Sequence, residues 1–417
     1  MDTTFKFKDY EFIDNDRFKI IHSKNFNYFF NKETGYSERW GRTKDTKDDP
    51  VRSEIGPIVM DLELCKDINN DNLEKYQNEI LLENKQCIGK CPWCFKDNGI
   101  YKYTHVMTFI KFKEALMKIC NTHIKIDGKL YYHLEEIPYN GKMIRAIDYP
   151  NIDWETDICN CSPLSQVALV NTNLTTNPEL LRICEFARKM GVVPDVTCHG
   201  KDDLSDEFLT RLCSLCGNVA VSKYDKEKTY NLVQRLHYLG VRQTDIDIFL
   251  SEETFENAMN TCKDYLNDGR LKYIHSLTFL MLKQHGRGVK FHQISEEHYK
   301  ELYDFIFDNK IIFAVDPCQY GRLKEYLEKY RQDELKDYDI TYEKCDSCRT
   351  SCYVNTIGDF YPCAFMEDDD HWKNPPNVFN CYNFIDEIWN GQKSDMYNVE
   401  LMTNNFNCPM FDFLRKD

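Results

Sequence analysis

An α/β fold is predicted for this chain: an incomplete (β/α)6 barrel, with an N-terminal β-hairpin extension before it and a small cysteine-rich α+β domain after it. Three observations lead there. From residue 58 onward, strand-like apolar runs alternate with amphipathic helical stretches about six times, the pattern of parallel β/α units. The first 54 residues lack that rhythm. After residue 316 long apolar runs cease and seven cysteines follow.

Residues 1–54 contain the runs Arg17-Phe18-Lys19-Ile20-Ile21-His22 and Phe26-Asn27-Tyr28-Phe29-Phe30 and a turn at Thr34-Gly35. A lone hairpin is marginal in water, so its aromatics are expected to pack on the flank of the next domain. In residues 55–316 the strands fall at 58–64, 166–170, 193–197, 218–222, 245–250, 276–282 and 311–315. Helices are expected over 109–119, 178–190, 205–215, 226–239, 254–266 and 296–307; in the first, Phe109, Phe112, Leu116 and Ile119 recur at helical spacing. Residues 127–160 show no clear period. The last domain, 317–417, reads as short strands and turns with a helix around 384–389.

With 42% hydrophobic and 14% aromatic residues the chain can bury a sizeable core. Its formal charge of -15 argues against nucleic acid, whose binding requires a basic surface, and suits a basic partner better. Charges interrupt the start of the chain where a signal peptide would be apolar, and no apolar run is long enough to cross a bilayer. A cytoplasmic protein is expected. Nineteen cysteines in such a chain point to metal or redox chemistry before disulfides.

The densest group is Cys87, Cys91 and Cys94, a C-x3-C-x2-C loop after the first strand of the parallel region. Three thiolates from one loop hold three irons of a [4Fe-4S] cube and leave the fourth open, whereas structural zinc is usually closed by four ligands. Chemistry in loops after the strands is the rule for barrels of parallel strands. Cys213 and Cys216 lie on a helix whose apolar stripe favours core packing. Cys65, Cys120, Cys184, Cys198 and Cys262 read as small apolar residues, and Cys159 and Cys161 carry no assignment.

This loop, with the aromatic Trp93 just before its last cysteine, resembles the radical S-adenosylmethionine superfamily. The resemblance implies a TIM-like partial barrel whose cluster chelates S-adenosylmethionine through the open iron. One electron then cleaves the sulfonium, and the 5′-deoxyadenosyl radical abstracts a substrate hydrogen. Where the family commonly carries Gly-Gly-Glu, this chain has Asn171-Thr172-Asn173. Asn173 can accept a hydrogen bond from the cofactor amine, or the two asparagines serve a turn. Ser222 falls where the family places a polar residue near the ribose, or else caps its strand. His199, in Thr197-Cys198-His199-Gly200, would line the same mouth as a proton donor. Arg287, in Gly286-Arg287-Gly288, would pair with a carboxylate of cofactor or substrate.

Gly358-x4-Cys363 resembles half of the auxiliary-cluster signature of SPASM and twitch domains, which implies one further cluster of the same [4Fe-4S] kind. Its expected ligands are Cys318, Cys345, Cys363 and Cys408; Cys348 and Cys352 are alternatives, with Cys345, Cys348, Cys352 and Cys363 the competing set and zinc the competing metal. The domain implies a peptide- or protein-modifying enzyme that crosslinks, forms a thioether, epimerises or oxidises, fed by a donor such as a flavodoxin or ferredoxin. The alternatives are radical chemistry on a small molecule or nucleotide, and a metal-stabilised binding module without chemistry.

Overall fold

The computed structural model describes residues 2–41, 52–201, 203–335, 344–408 and 410. Seven strands run parallel in one sheet: β6 (Val59–Glu63), β15 (Gln166–Val170), β16 (Val193–Cys198), β17 (Val219–Ser222), β18 (Asp245–Leu250), β19 (Ser276–Met281) and β20 (Phe313–Val315). Helices connect them: α2 (Leu180–Lys189), α3 (Asp206–Leu215), α4 (Lys226–Tyr238), α5 (Phe255–Asn267) and α6 (Glu296–Asp308). The fold is therefore mixed α/β on a parallel sheet. Along β15, β18 and β19 fully buried residues alternate with half-buried ones. The buried set, such as Val167, Leu169, Ile246, Ile248, Leu277 and Phe279, belongs to the main apolar core with the helices. The other face mixes Asp61, Ala168, Asp247 and Thr278 with the apolar Val170, Phe249 and Leu280, and a cavity lies over it.

The sheet does not end at β6. Strand β21 (Ser351–Val354), from the cysteine-rich segment, pairs in parallel with β6, and β22 (Phe360–Tyr361) adds antiparallel to β21. Tyr353, Phe360, Phe384 and Trp389 share the main core, and Lys118 of helix α1 (Phe109–Ile119) donates to the carbonyls of Val378, Phe379 and Cys381. The segment is thus joined to the sheet through backbone, core and side chains. Its expected helix is a π-helical stretch, Ile385–Trp389, followed by a regular helix, Gln392–Thr403.

Where a hairpin was expected, five strands form an antiparallel meander: β1 (Asp2–Phe7), β2 (Tyr10–Asn15), β3 (Phe18–His22), β4 (Asn27–Asn31) and β5 (Ser37–Trp40). The first turn escaped notice because it contains no glycine or asparagine; Lys8 itself adopts φ 53°. Phe5, Phe12, Ile21, Tyr28 and Phe30 pack against Ile58, Cys159, Cys161 and Val193, on the flank of the parallel sheet. The aperiodic stretch 127–160 holds two hairpins. Their turns, Asp127-Gly128 and Asn140-Gly141, have both residues at positive φ, the conformation those dipeptides favour. Cys65, Cys120, Cys184, Cys198, Cys213, Cys216 and Cys262 are buried, and the Cys216 thiol meets Cys184 rather than Cys213.

Candidate functional site

The cysteine loop is held by a small sheet of its own. After β6 the chain forms β7 (Cys65–Ile68), β8 (Leu81–Glu83) and β9 (Tyr103–Val106), with β9 central and antiparallel to both neighbours. The loop runs from β8 to β9, so it lies in an excursion beyond the first parallel strand rather than directly after it. Buried Asp67 on β7 closes its two ends: Oδ2 accepts from the backbone N–H of Cys87 (2.9 Å) and Gly99 (2.6 Å), and Oδ1 from Thr104 Oγ1 (2.7 Å). Burial holds its carboxyl above the ordinary carboxylate range, and these three donors offset only part of that rise.

Two residues singled out from the sequence, Asn173 and Arg287, reach this loop by its backbone. Asn173 Oδ1 accepts from Ile88 N (2.9 Å) and lies 3.1 Å from His199 Nε2, while its Nδ2 donates to Gln86 O (3.2 Å) and Thr176 Oγ1 (2.9 Å). Arg287 donates from Nε to Cys91 O (2.9 Å) and from Nη2 to Asn98 O (2.7 Å), and its backbone N–H donates to Cys94 O (3.0 Å). Asn171 and Thr172 face the other way, toward the Cys65 thiol. The guanidinium and the Asn173 amide therefore clamp the loop from opposite sides.

The thiols sit in a cradle shaped for something larger than hydrogen. A Cβ on Gly89 would lie 3.2 Å from Cys87 Sγ and 3.5 Å from Cys91 Sγ, so glycine keeps the space between two thiols open. The N–H groups of Gly89 and Lys90 point at Cys87 and those of Lys96 and Asn98 at Cys94. Burial pushes the Cys87 thiol up to about 11, and raises Cys94, against these donors. Such thiols stay protonated until a metal displaces the proton, and the N–H groups then stabilise the thiolates. Cys91 Sγ lies 2.9 Å from the Tyr224 hydroxyl.

Cys91 and Cys94 open onto a cavity of about 600 Å3, and Cys318, Cys345, Cys352, Cys363 and Cys408 line it too. The Cys408 thiol meets both Cys318 and Cys345, and Cys363 lies within electrostatic reach of those two. Cys345 Sγ is 2.9 Å from Ser347 Oγ, which is 2.8 Å from the Tyr397 hydroxyl. Cys348 is fully buried beside Ser394 and does not line the cavity. Among the described residues no three His, Cys, Asp or Glu side chains are spaced to grip a single ion. Pro409, after Cys408, lies outside the described residues.

Trp93 forms one wall, stacked on Phe249 (centroids 4.6 Å apart, planes within 4°) and near Tyr224 and Phe291. Ser222 lines the same space; Asn171, Thr172, Asn173, His199 and Arg287 do not. Asp61 on β6 and Asp247 on β18 face into the cavity. Burial pushes both carboxyls up to about 7, helped by Asp346 for Asp61 and by Asp245 for Asp247.

No family model matches the chain, and no curated protein does. Solved structures do match. The fold resembles that of Streptococcus suis SuiB. One SuiB crystal structure aligns at TM-score 0.56 and 9% identity, covering 93% of this chain and 90% of SuiB. SuiB bound to its precursor peptide SuiA aligns at 0.55 and 10%, covering 97% and 91%. SuiB bound to S-adenosylmethionine aligns at 0.50 and 10%, covering 87% and 68%. Among the described residues no helix is long and apolar enough to cross a membrane.

Sequence reasoning missed the ionic link between the two thiol groups. Lys96, two residues after Cys94, donates to Glu63 Oε1 (2.8 Å), Glu367 Oε2 (2.8 Å) and the Tyr353 hydroxyl, and Lys66 also binds Glu367 (2.8 Å). Burial opposes ionisation of Glu367, but the ammoniums of Lys96 and Lys66 outweigh it and hold that carboxyl below the usual range. Glu367 stands four residues after Cys363, so one buried network fixes both thiol loops. Nothing local announces it. The inward carboxylates Asp61 and Asp247 did leave a signal, the period-two pattern of acids within apolar strands.

Proposed function

We propose that this chain is a radical S-adenosylmethionine enzyme that modifies a peptide or protein. It is read as an incomplete barrel over 55–316, an N-terminal extension over 1–54 and a twitch-like module over 317–417 that holds a second cluster. The observation that carries this reading is that the C-x3-C-x2-C loop and a second thiol group open onto one cavity at the ends of parallel strands. Two things support it from outside the chain: a structure of similar fold binds S-adenosylmethionine, and another binds its precursor peptide.

In this reading Cys87, Cys91 and Cys94 hold a [4Fe-4S] cluster, and Cys318, Cys345, Cys363 and Cys408 hold the auxiliary one. A cluster held at the first of these sites would, with S-adenosylmethionine bound and a flavodoxin or ferredoxin as donor, supply one-electron reductive chemistry. The chain's own work is placement. Asp67, Asn173 and Arg287 fix the loop by its backbone, and the loop N–H groups stabilise the thiolates. Trp93 and Phe249 make an apolar wall that keeps water from a reactive intermediate.

Anaerobic reconstitution with iron and sulfide, followed by dithionite and S-adenosylmethionine, is expected to yield 5′-deoxyadenosine, and replacing Cys87, Cys91 and Cys94 together with Ala to abolish it. Activity that survives the triple replacement refutes the radical reading. Peptides that trigger 5′-deoxyadenosine formation are expected to change in mass. Turnover without a mass change in any of them counts against the peptide reading.

A further inference from the structure

The second thiol group carries a chain of hydrogen bonds that its ligand set does not account for. Ser347 Oγ lies 2.9 Å from Cys345 Sγ and 2.8 Å from the Tyr397 hydroxyl, and the Ser347 backbone N–H also points at the Cys345 sulfur. Ser347 is 1% exposed and Tyr397 6%. Both ends of the chain are fixed. Beside Ser347, the Asp346 carbonyl accepts from the N–H groups of Arg349 (2.9 Å), Thr350 (3.0 Å) and Ser351 (3.1 Å), and Arg349 Nη1 donates to Cys345 O (2.9 Å). Tyr397 stands on the helix Gln392–Thr403 with its ring edge-on to Trp372 (centroids 5.9 Å apart), whose indole N–H donates to Phe360 O (2.8 Å).

The direction of the chain follows from its last member. A metal-bound thiolate accepts hydrogen bonds and has no proton to give, so the Ser347 hydroxyl donates to Cys345 and the Tyr397 hydroxyl to Ser347. Tyr397 thereby strengthens Ser347 as a donor, because hydrogen bonds in series polarise one another where water is excluded. A buried serine can close on a backbone carbonyl of its own turn instead. Ser347 meets a sulfur, and its second partner is a hydroxyl 50 positions along the chain. A cluster held by Cys345 gains one negative charge on one-electron reduction, part of it on its sulfurs, so a donor aimed at a sulfur favours the reduced state.

We propose that Ser347 and Tyr397 form a donor relay to Cys345 that raises the reduction potential of the auxiliary cluster. The proposal rests on the reading that Cys318, Cys345, Cys363 and Cys408 hold that cluster, and it adds two residues that set how readily an electron is taken up there. Neither is a ligand; both act through Cys345.

The test is a reductive titration of the reconstituted holoenzyme with dithionite and redox mediators, followed by electron paramagnetic resonance. Adding S-adenosylmethionine alters the signal of the cluster that binds it, which separates the two clusters by their spectra. In S347A the constant for one-electron reduction of the other cluster is expected to fall about tenfold, or about 59 mV. Y397F keeps the ring against Trp372 and is expected to lower the constant about twofold. S347T restores a hydroxyl and is expected to recover most of the loss. The cluster that responds to S-adenosylmethionine is expected to keep its potential in all three variants.

An unchanged constant in S347A overturns the proposal, and so does an equal fall at both clusters, since a general disturbance then explains it. An unchanged constant in Y397F overturns the relay. Should S347A fail to hold the auxiliary cluster, Y397F decides: a fall confined to that cluster supports the proposal and no fall overturns it. A single signal that responds to S-adenosylmethionine, with about four irons per chain, overturns the auxiliary cluster and the relay with it. Two signals that keep their potentials in every variant speak against the relay alone.

Discussion

Replacing Lys96 with Met removes a buried cation that links the two thiol loops. The Lys96 side chain is 8% exposed, and its partners Glu63 and Glu367 are 0% and 5% exposed. Glu367 keeps Lys66, but among the described residues Glu63 has no other ion pair and its Oε2 already lacks a hydrogen-bond partner. Removing one member of such a buried pair typically costs about 3–5 kcal/mol, because the carboxylate left behind is both dry and unpaired. Urea unfolding of the metal-free protein, followed by tryptophan fluorescence, measures that cost for K96M. The same reasoning sets the sign of a second change. E63Q in the K96M background is expected to recover about 2 kcal/mol, since a neutral amide is far less costly to bury than an orphaned carboxylate. The deficit of K96M is expected to shrink as pH falls, because burial raises the Glu63 carboxyl above its usual range and its protonation removes the orphaned charge. A loss under about 1 kcal/mol in K96M, or no recovery on adding E63Q, refutes the assignment of Lys96 as the keystone of the network.

Three further outcomes are expected. G89A introduces a Cβ 3.2 Å from Cys87 Sγ without a backbone penalty, since Gly89 is not in the left-handed region; it is expected to lower iron at the first site several-fold while leaving the fold intact by circular dichroism. C363S is expected to remove about half of the iron from the reconstituted protein, and C348S to leave the iron content unchanged, because only Cys363 joins the thiols at the cavity; equal loss in both points to the competing ligand set. The Asp247 carboxyl is raised to about 7 by burial and by Asp245, so the native state is penalised once this group must ionise. That penalty is absent below the unfolded value near pH 4 and complete above about pH 7. D247N, neutral throughout, is therefore expected to gain about 2 kcal/mol at about pH 8 after allowance for water in the cavity, and nothing at about pH 4.

The sequence alone determined what is local. The strand and helix rhythm between 58 and 315 gave the parallel sheet, since a residue's burial repeats at the period of its own element. The cysteine loop was legible for the same reason, with three cysteines within eight residues. Only the tertiary structure decided how distant residues meet. Lys96 and Glu367 are 271 positions apart, Arg287 and Cys91 196, and neither pair follows a pattern that a single chain displays. The C-terminal cysteines show both sides of this. Their spacing suggests a metal-binding segment and leaves two ligand sets open. Cys318, which follows β20, and Cys345, Cys352, Cys363 and Cys408 of the segment joined to β6 through β21 line the cavity, while Cys348 is buried in the core. Asn173 and Arg287 likewise took their places only on folding: side chains anticipated for a cofactor spend their hydrogen bonds on the backbone of the cysteine loop. A backbone donor or acceptor is present at every residue, so composition cannot say which one a side chain will find.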